Sequence, residues 1–201
     1  MQDEVLKLFS AQHGHFLFES SHHGDRWLDL ETLFFQPQRV HPLAAALASR
    51  LQGFDIEIVC GPLVEGSFVA LLVALELGVE FVYSERFFRP TADGLFPAGY
   101  RIPKPLRSLV RQRRVAIVND VINAGSAVRG TFDDLLECDA KMVAIGSLLV
   151  LGASASEYAS SKNVGLESLA ALPNNLWTQS ECPLCAAGVP LADIGGFKAA
   201  P

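Results

Sequence analysis

Val115-Ala116-Ile117-Val118-Asn119-Asp120-Val121-Ile122-Asn123-Ala124-Gly125-Ser126-Ala127-Val128 is the stretch from which the fold is read. Arg114 to Asn119 has the β-branched, apolar content of a strand buried on both faces. It runs into a polar pair, Asn119-Asp120, and then into a turn of small residues that opens a helix. Backbone N–H groups and the positive end of the helix dipole converge just past such a strand, and that geometry binds phosphate. Asp120 falls at the carboxyl end of the strand, where open α/β sheets place ligands and where a carboxylate accepts hydrogen bonds from sugar hydroxyls. A tight strand-to-helix turn with an Asn/Asp cap gives the same pattern without any ligand.

Working outward, Asp55 to Cys60 is a second short apolar run, ending at Gly61-Pro62 and followed by a helix from Ser67 to Leu77 that Gly78 stops. Val79 to Ser84 is a third strand. The helix after Gly125 extends through Cys138, and Lys141 to Val150 is a further strand. Strand-helix-strand repetition of this kind predicts an α/β fold with a parallel sheet covered on both faces. Two segments stand outside the pattern: a dense aromatic and polar stretch from Gly14 to Phe35, and a proline-bearing C-terminal end. Phe87 to Pro105 holds four prolines and two glycines, long for a connection within an α/β domain, and reads as a functional or mobile loop.

Composition narrows the class. The 201 residues suit one domain; half are hydrophobic and 19% charged, which excludes disorder and collagen-like repeats. With 16 basic against 22 acidic residues the formal charge is −6, opposite to what nonspecific nucleic-acid binding requires. No apolar window reaches the ~18 residues of a membrane span, and the Met1-Gln2-Asp3-Glu4 start is acidic where a secretory signal is basic, so a cytoplasmic protein is expected. Cys60 and Cys138 lie in apolar runs and read as small buried hydrophobes. Cys182 and Cys185 have a C-x-x-C spacing that supplies two zinc ligands or a redox pair. A closed zinc site needs four ligands, however, and no second cysteine pair follows, so no metal ligand is assigned among the protein's side chains. His13, His15, His22 and His23 cluster in one stretch, where surface or capping roles are the common ones and metal binding or acid-base work the rarer.

The Val115 to Ala127 segment resembles the phosphoribosyl-diphosphate motif of type I phosphoribosyltransferases: four apolar residues, two acids, two apolar residues and a small-residue turn. Cys60-Gly61-Pro62-Leu63-Val64-Glu65-Gly66-Ser67 looks like that family's pyrophosphate loop. Gly14-His15-Phe16-Leu17-Phe18-Glu19-Ser20-Ser21-His22-His23-Gly24 resembles the hood of the orotate enzymes, and Cys182-Pro183-Leu184-Cys185 with its surroundings resembles the tail of some bacterial members. The resemblance implies one phosphoribosyltransferase domain over 1–201, with a core at 36–170, a small hood from 1–35 and 171–201, and a lid at 87–105. It further implies that Asn119 and Asp120 hold the ribose, that Asn123, Ala124, Gly125, Ser126 and Ala127 wrap the 5′-phosphate, and that Gly61, Pro62, Leu63, Val64, Glu65 and Gly66 hold pyrophosphate. Phe18 and His23 would belong to the base site; Arg86 and Lys104, with Arg89 and Arg101, would be lid cations acting on the leaving group.

The implied activity is Mg²⁺-dependent transfer of ribose 5-phosphate from phosphoribosyl diphosphate to a nucleobase, orotate first, by a homodimer acting in pyrimidine biosynthesis. The sequence departs from the family pattern in four places. Asn119 replaces the first acid and Asn123 the usual Thr, His22-His23 stand where a Lys is common, and Gly152-Ala153-Ser154 stand where an Asp-Arg is expected. These departures keep two other readings open: a phosphoribosyl-diphosphate-sensing regulator without turnover, and a transferase for a different base.

Overall fold

The computed structural model describes residues 2–30, 32–88 and 95–194. A short helix, α1 (Gln2–Leu6), leads into an antiparallel hairpin of β1 (Ser10–Leu17) and β2 (His23–Asp29). Helix α2 (Pro37–Leu51) starts on a proline, which needs no N–H donor at that position. Its Val40, Leu43, Ala44, Leu47, Ala48 and Leu51 recur at helical spacing and form the buried face. Then follow β3 (Ile58–Pro62), α3 (Glu65–Leu77), β4 (Glu80–Phe88), β5 (Ala98–Arg101), β6 (Arg114–Ile122), α4 (Ser126–Glu137), β7 (Lys141–Leu151), α5 (Ser154–Lys162), β8 (Gly165–Leu172) and the single turn α6 (Pro183–Ala186).

Among the described residues the main sheet has six strands in the order β5-β4-β3-β6-β7-β8, parallel except for β5 at the edge. Strand residues alternate between its two faces. Val59, Ala116 and Val118 pack with α2 and α3 on one side, while Ile58, Cys60, Val115 and Ile117 pack with α4 and α5 on the other. No helix among the described residues is long and apolar enough to cross a membrane.

The strand order places the site. From β3 the chain crosses through α3 to β4 on one side; from β6 it crosses through α4 to β7 on the other. The loops leaving β3 and β6 therefore diverge onto opposite faces and open a crevice between the carboxyl ends of these two adjacent strands.

Two boundaries differ from the sequence reading. Strand β6 continues to Ile122 because β7 is long enough to keep pairing with it, Asn119 opposite Ser147 and Val121 opposite Leu149. Asp120 thus lies within the strand instead of at its end. The segment 87–105 is not irregular throughout: β4 runs on to Phe88 and pairs antiparallel with β5, making a two-stranded ribbon. Gly99 allows this closeness, since a Cβ there would stand 2.5 Å from the Phe87 ring. Arg89 lies outside the described residues.

The β1–β2 hairpin stands apart from the main sheet and is joined to the C-terminal segment. His23 and Trp177 exchange both backbone hydrogen bonds, at 2.8 and 2.9 Å, and Ala192 N–H donates to the His15 carbonyl at 2.7 Å.

Candidate active site

The crevice at the ends of β3 and β6 holds a cavity of about 680 Å³. Residues 119–127 form its floor, 62–66 one wall, and Phe18 to Ser20 with Arg26 to Leu30 its roof. That volume accommodates a sugar diphosphate beside a base.

The floor ends at the first turn of α4. Gly125 initiates this helix with φ +86, a left-handed conformation that suits glycine, and no side chain caps the helix. The first N–H groups of α4 therefore face the cavity without a side-chain acceptor, at the positive end of the helix dipole, where a phosphate dianion is favoured. The turn is braced from behind. Arg129 Nε and Ser154 Oγ both donate to the Ala124 carbonyl, at 3.3 and 3.1 Å, and Arg129 Nη2 donates to Ser154 Oγ at 3.1 Å. The Arg129 guanidinium lies 4.3 Å from the Tyr158 ring centroid, which fixes it further. Asn123 is held from the tail, its Oδ1 accepting from Asn174 Nδ2 at 2.8 Å.

Asp120 is the electrostatic centre of the site. It is 4% exposed, and its Oδ2 is buried with no hydrogen-bond partner. Burial pushes its carboxyl up to about 7, the neighbouring Val121 N–H partly opposes this, and the negative charge of Glu65 across the cavity adds to it. Its neighbour Asn119 is also buried and donates from Nδ2 to the Val121 carbonyl at 2.8 Å. Asn119 Oδ1 faces Gly66 so closely that a Cβ on Gly66 would stand 2.0 Å away. The wall loop thus lies directly on the strand pair because residue 66 has no side chain. The Leu63–Val64 peptide in this loop is cis.

The roof supplies aromatic surface and charge. Phe18 and Trp27 are parallel, interplanar angle 8°, with centroids 6.1 Å apart. Arg26 also borders the cavity, its Nη1 donating to the Pro173 carbonyl at 3.5 Å. Beside them Glu19 accepts from Tyr100 Oη at 2.9 Å and pairs with Arg86 Nε at 3.0 Å, joining the hairpin to both strands of the ribbon. Burial first, and then the Glu19 carboxylate, raise the Tyr100 hydroxyl far above its ordinary range, so it stays a protonated donor.

The structure brings together Asn119, Asp120, Asn123, Ala124, Gly125, Ser126, Ala127, Pro62, Leu63, Val64, Glu65, Gly66 and Phe18 around one cavity. Four residues singled out in the sequence lie outside the lining of this cavity. Gly61 does not line the cavity: a Cβ on it would meet Ser67 Cα at 2.5 Å, so its part is the close packing of β3 on α3. His23 is 4% exposed and turned away from the cavity, its Nδ1 2.7 Å from His15 Nε2. Arg86 is on β4, engaged with Glu19 at the rim. Lys104 is exposed in a one-turn 3₁₀ helix beyond β5, away from the cavity lining. Sequence reasoning passed over Arg26, Glu19 and Tyr100. Arg26 and Glu19 stand in the aromatic stretch already singled out, and reading a hairpin there would have exposed them.

No family model matches the chain. It is 27% identical to an orotate phosphoribosyltransferase of Caldanaerobacter subterraneus subsp. tengcongensis, over 98% of both chains. Among solved structures it resembles an adenine phosphoribosyltransferase from Thermoanaerobacter pseudethanolicus, with a TM-score of 0.67 and 16% identity over 86% of this chain and all of that one. It also resembles an orotate phosphoribosyltransferase from Aeropyrum pernix, with a TM-score of 0.61 and 20% identity over 85% and 93%. The structural likenesses establish the fold, and the sequence likeness runs the length of the chain. Crevice, motif and full-length similarity agree in likening this chain to type I phosphoribosyltransferases, whose fold it shares.

Proposed function

We propose that the protein binds phosphoribosyl diphosphate in this cavity and transfers its ribose 5-phosphate to a ring nitrogen of a nucleobase, orotate first, with pyrophosphate leaving. The carrying observation is the buried, unpartnered Oδ2 of Asp120 one turn from the uncapped start of α4. A carboxylate placed there accepts a ribose hydroxyl while the helix N–H groups hold the 5′-phosphate. Asn119 Oδ1 and Asp120 orient the sugar, and the 62–66 wall faces the diphosphate side. The bond to pyrophosphate breaks early in such transfers, so positioning and charge complementarity carry most of the catalysis.

Glu65, whose negative charge acts on Asp120 and which lines the wall on the diphosphate side, suits a hard cation such as Mg²⁺. When bound, Mg²⁺ offsets the diphosphate charge of substrate and product. None of the four cysteines is paired in a disulfide, which supports a reducing compartment and our placing the reaction in the cytoplasm.

Orotate is the first base because the chain is similar along its length to proteins named orotate phosphoribosyltransferase, and Arg26 at the cavity border is a cation suited to a carboxylate-bearing base. The test is pyrophosphate release from phosphoribosyl diphosphate and Mg²⁺ with orotate, uracil, adenine and hypoxanthine in parallel. Release with orotate alone is expected; binding of the diphosphate without release for any base would overturn the reading in favour of a sensor. Arg26→Ala is expected to raise the KM for orotate by about tenfold or more. Its affinity for phosphoribosyl diphosphate, measured by calorimetry, should stay as it was.

We also propose that the protein is a homodimer. Helix α3 is apolar almost all round, and Phe68, Leu71 and Leu75 form an exposed stripe on it that continues into Val64 of the wall loop. A second copy covering this stripe would join two active sites back to back. Leu71→Glu is expected to turn a dimer into a monomer in light scattering; a wild-type monomer would dismiss the idea.

A further inference from the structure

We propose that His15, His23, Cys182 and Cys185 form a structural zinc site that pins the C-terminal segment to the β1–β2 hairpin. Their ligand atoms all lie within 4.8 Å of one another. Cys182 Sγ is 3.5 Å and Cys185 Sγ 3.7 Å from His15 Nε2, and Cys185 Sγ is 3.3 Å from His23 Nδ1. Tetrahedral zinc with two sulfur and two nitrogen ligands sets its donor atoms about 3.3–3.8 Å apart. The His15–His23 nitrogen pair, at 2.7 Å, has to open by about half an ångström to meet that geometry.

Three further features point the same way. His15 Nδ1 lies 2.7 Å from the Val189 carbonyl and donates its proton there, so Nε2 presents a lone pair to the cluster. The hairpin register shifts between His13 and Phe16, and this bulge re-aims His15 toward the sulfurs. His15, His23 and Cys182 are each at most 4% exposed, so the donors converge in a dry pocket. None of the four residues lines the active-site cavity, and four protein ligands leave no open position for a substrate.

The ligands come from segments about 160 residues apart in the chain. Closing that span in the folded state alone stabilises the joint between hairpin and tail. It also sets the roof, since Arg26 and Trp27 follow His23 on the same strand. The inference does not depend on the transferase reading: metal content and cobalt spectra report on it whatever the protein catalyses.

The test uses the full chain, purified in reducing buffer without metal-affinity resin. Elemental analysis is expected to find about one zinc per chain. Chelated, reduced protein titrated with Co²⁺ is expected to develop the visible bands of tetrahedral cobalt together with thiolate-to-cobalt charge transfer. The double variant Cys182→Ser/Cys185→Ser should lose zinc by roughly tenfold or more and melt lower, and His15→Ala should lose the tetrahedral bands. Should these variants fail to fold, the wild-type cobalt spectrum alone decides. Wild-type protein without zinc and without a cobalt spectrum overturns the site, as does a Cys182–Cys185 disulfide found by mass spectrometry in the reduced preparation.

Discussion

Asp120→Asn is expected to abolish transfer and, at pH 8, to raise the melting temperature. The two effects have one cause. Asp120 is buried with an unpartnered oxygen and its carboxyl is pushed up to about 7. In the unfolded chain the same group titrates near 4. Between those values the folded state holds the proton more tightly, so stability is fully present below about pH 4 and falls as pH rises to about 7. Above that, a bare carboxylate is buried beside Glu65. The full linkage amounts to roughly 4 kcal/mol. Asparagine removes the charge but leaves a buried amide, so a net gain on the order of 2 kcal/mol, about 4–8 °C in Tm, is expected. At pH 3 the gain should vanish, because the aspartate is then largely protonated in both states. Transfer should fall by about a hundredfold or more, since the ribose loses its orienting anion. Thermal melts at both pH values, with pyrophosphate release at pH 8, check the prediction; an unchanged Tm at pH 8 would mean that water or an unseen partner already satisfies the carboxylate.

Gly66→Ala is expected to damage the site more than any other single-methyl change in it. The new Cβ would stand 2.0 Å from Asn119 Oδ1, and Asn119 cannot swing aside without giving up its bond to the Val121 carbonyl. Either the wall loop lifts or the amide is expelled, and both misplace groups on the sugar and diphosphate. Overpacking of this kind costs about 1–3 kcal/mol of stability, and a displacement near 1 Å costs about a hundredfold in rate. Calorimetric titration with phosphoribosyl diphosphate should therefore show strongly weakened binding in a protein that still folds. Gly61→Ala differs, because its Cβ would strike backbone, Ser67 Cα at 2.5 Å, and the loss there should be of folding before binding. A Gly66→Ala protein of wild-type affinity would place the diphosphate elsewhere.

The core of the molecule was readable because its cues are local. Each central strand is a continuous apolar run, and the phosphate turn occupies consecutive residues from Asn123 to Ala127. Helix α2 carries a regular buried stripe, yet Pro37 and Pro42 disguise it as a break. The β4–β5 ribbon was hidden because its pairing rests on Gly99 facing Phe87, a fit between residues that individually suggest a loop. The Cys182–Cys185 pair looked incomplete for the opposite reason: its partners are histidines at the other end of the chain, brought within reach by a bulge that no spacing rule registers. Arg26 escaped notice because its aim depends on the hairpin register, which the polar and aromatic residues around it do not encode plainly.

The cavity has a floor and a roof with separate origins: the floor comes from the turns after β3 and β6, the roof from a hairpin outside the main sheet. Change can therefore accumulate in one without disturbing the other. Under the proposed function, a lineage can exchange Phe18, Arg26 or Trp27 for side chains that welcome another heterocycle while Asp120 and the α4 turn keep the sugar-donor role proposed for them. Such modularity makes new acceptor preferences accessible by few substitutions, each tried in a protein that never stops folding or holding its first substrate.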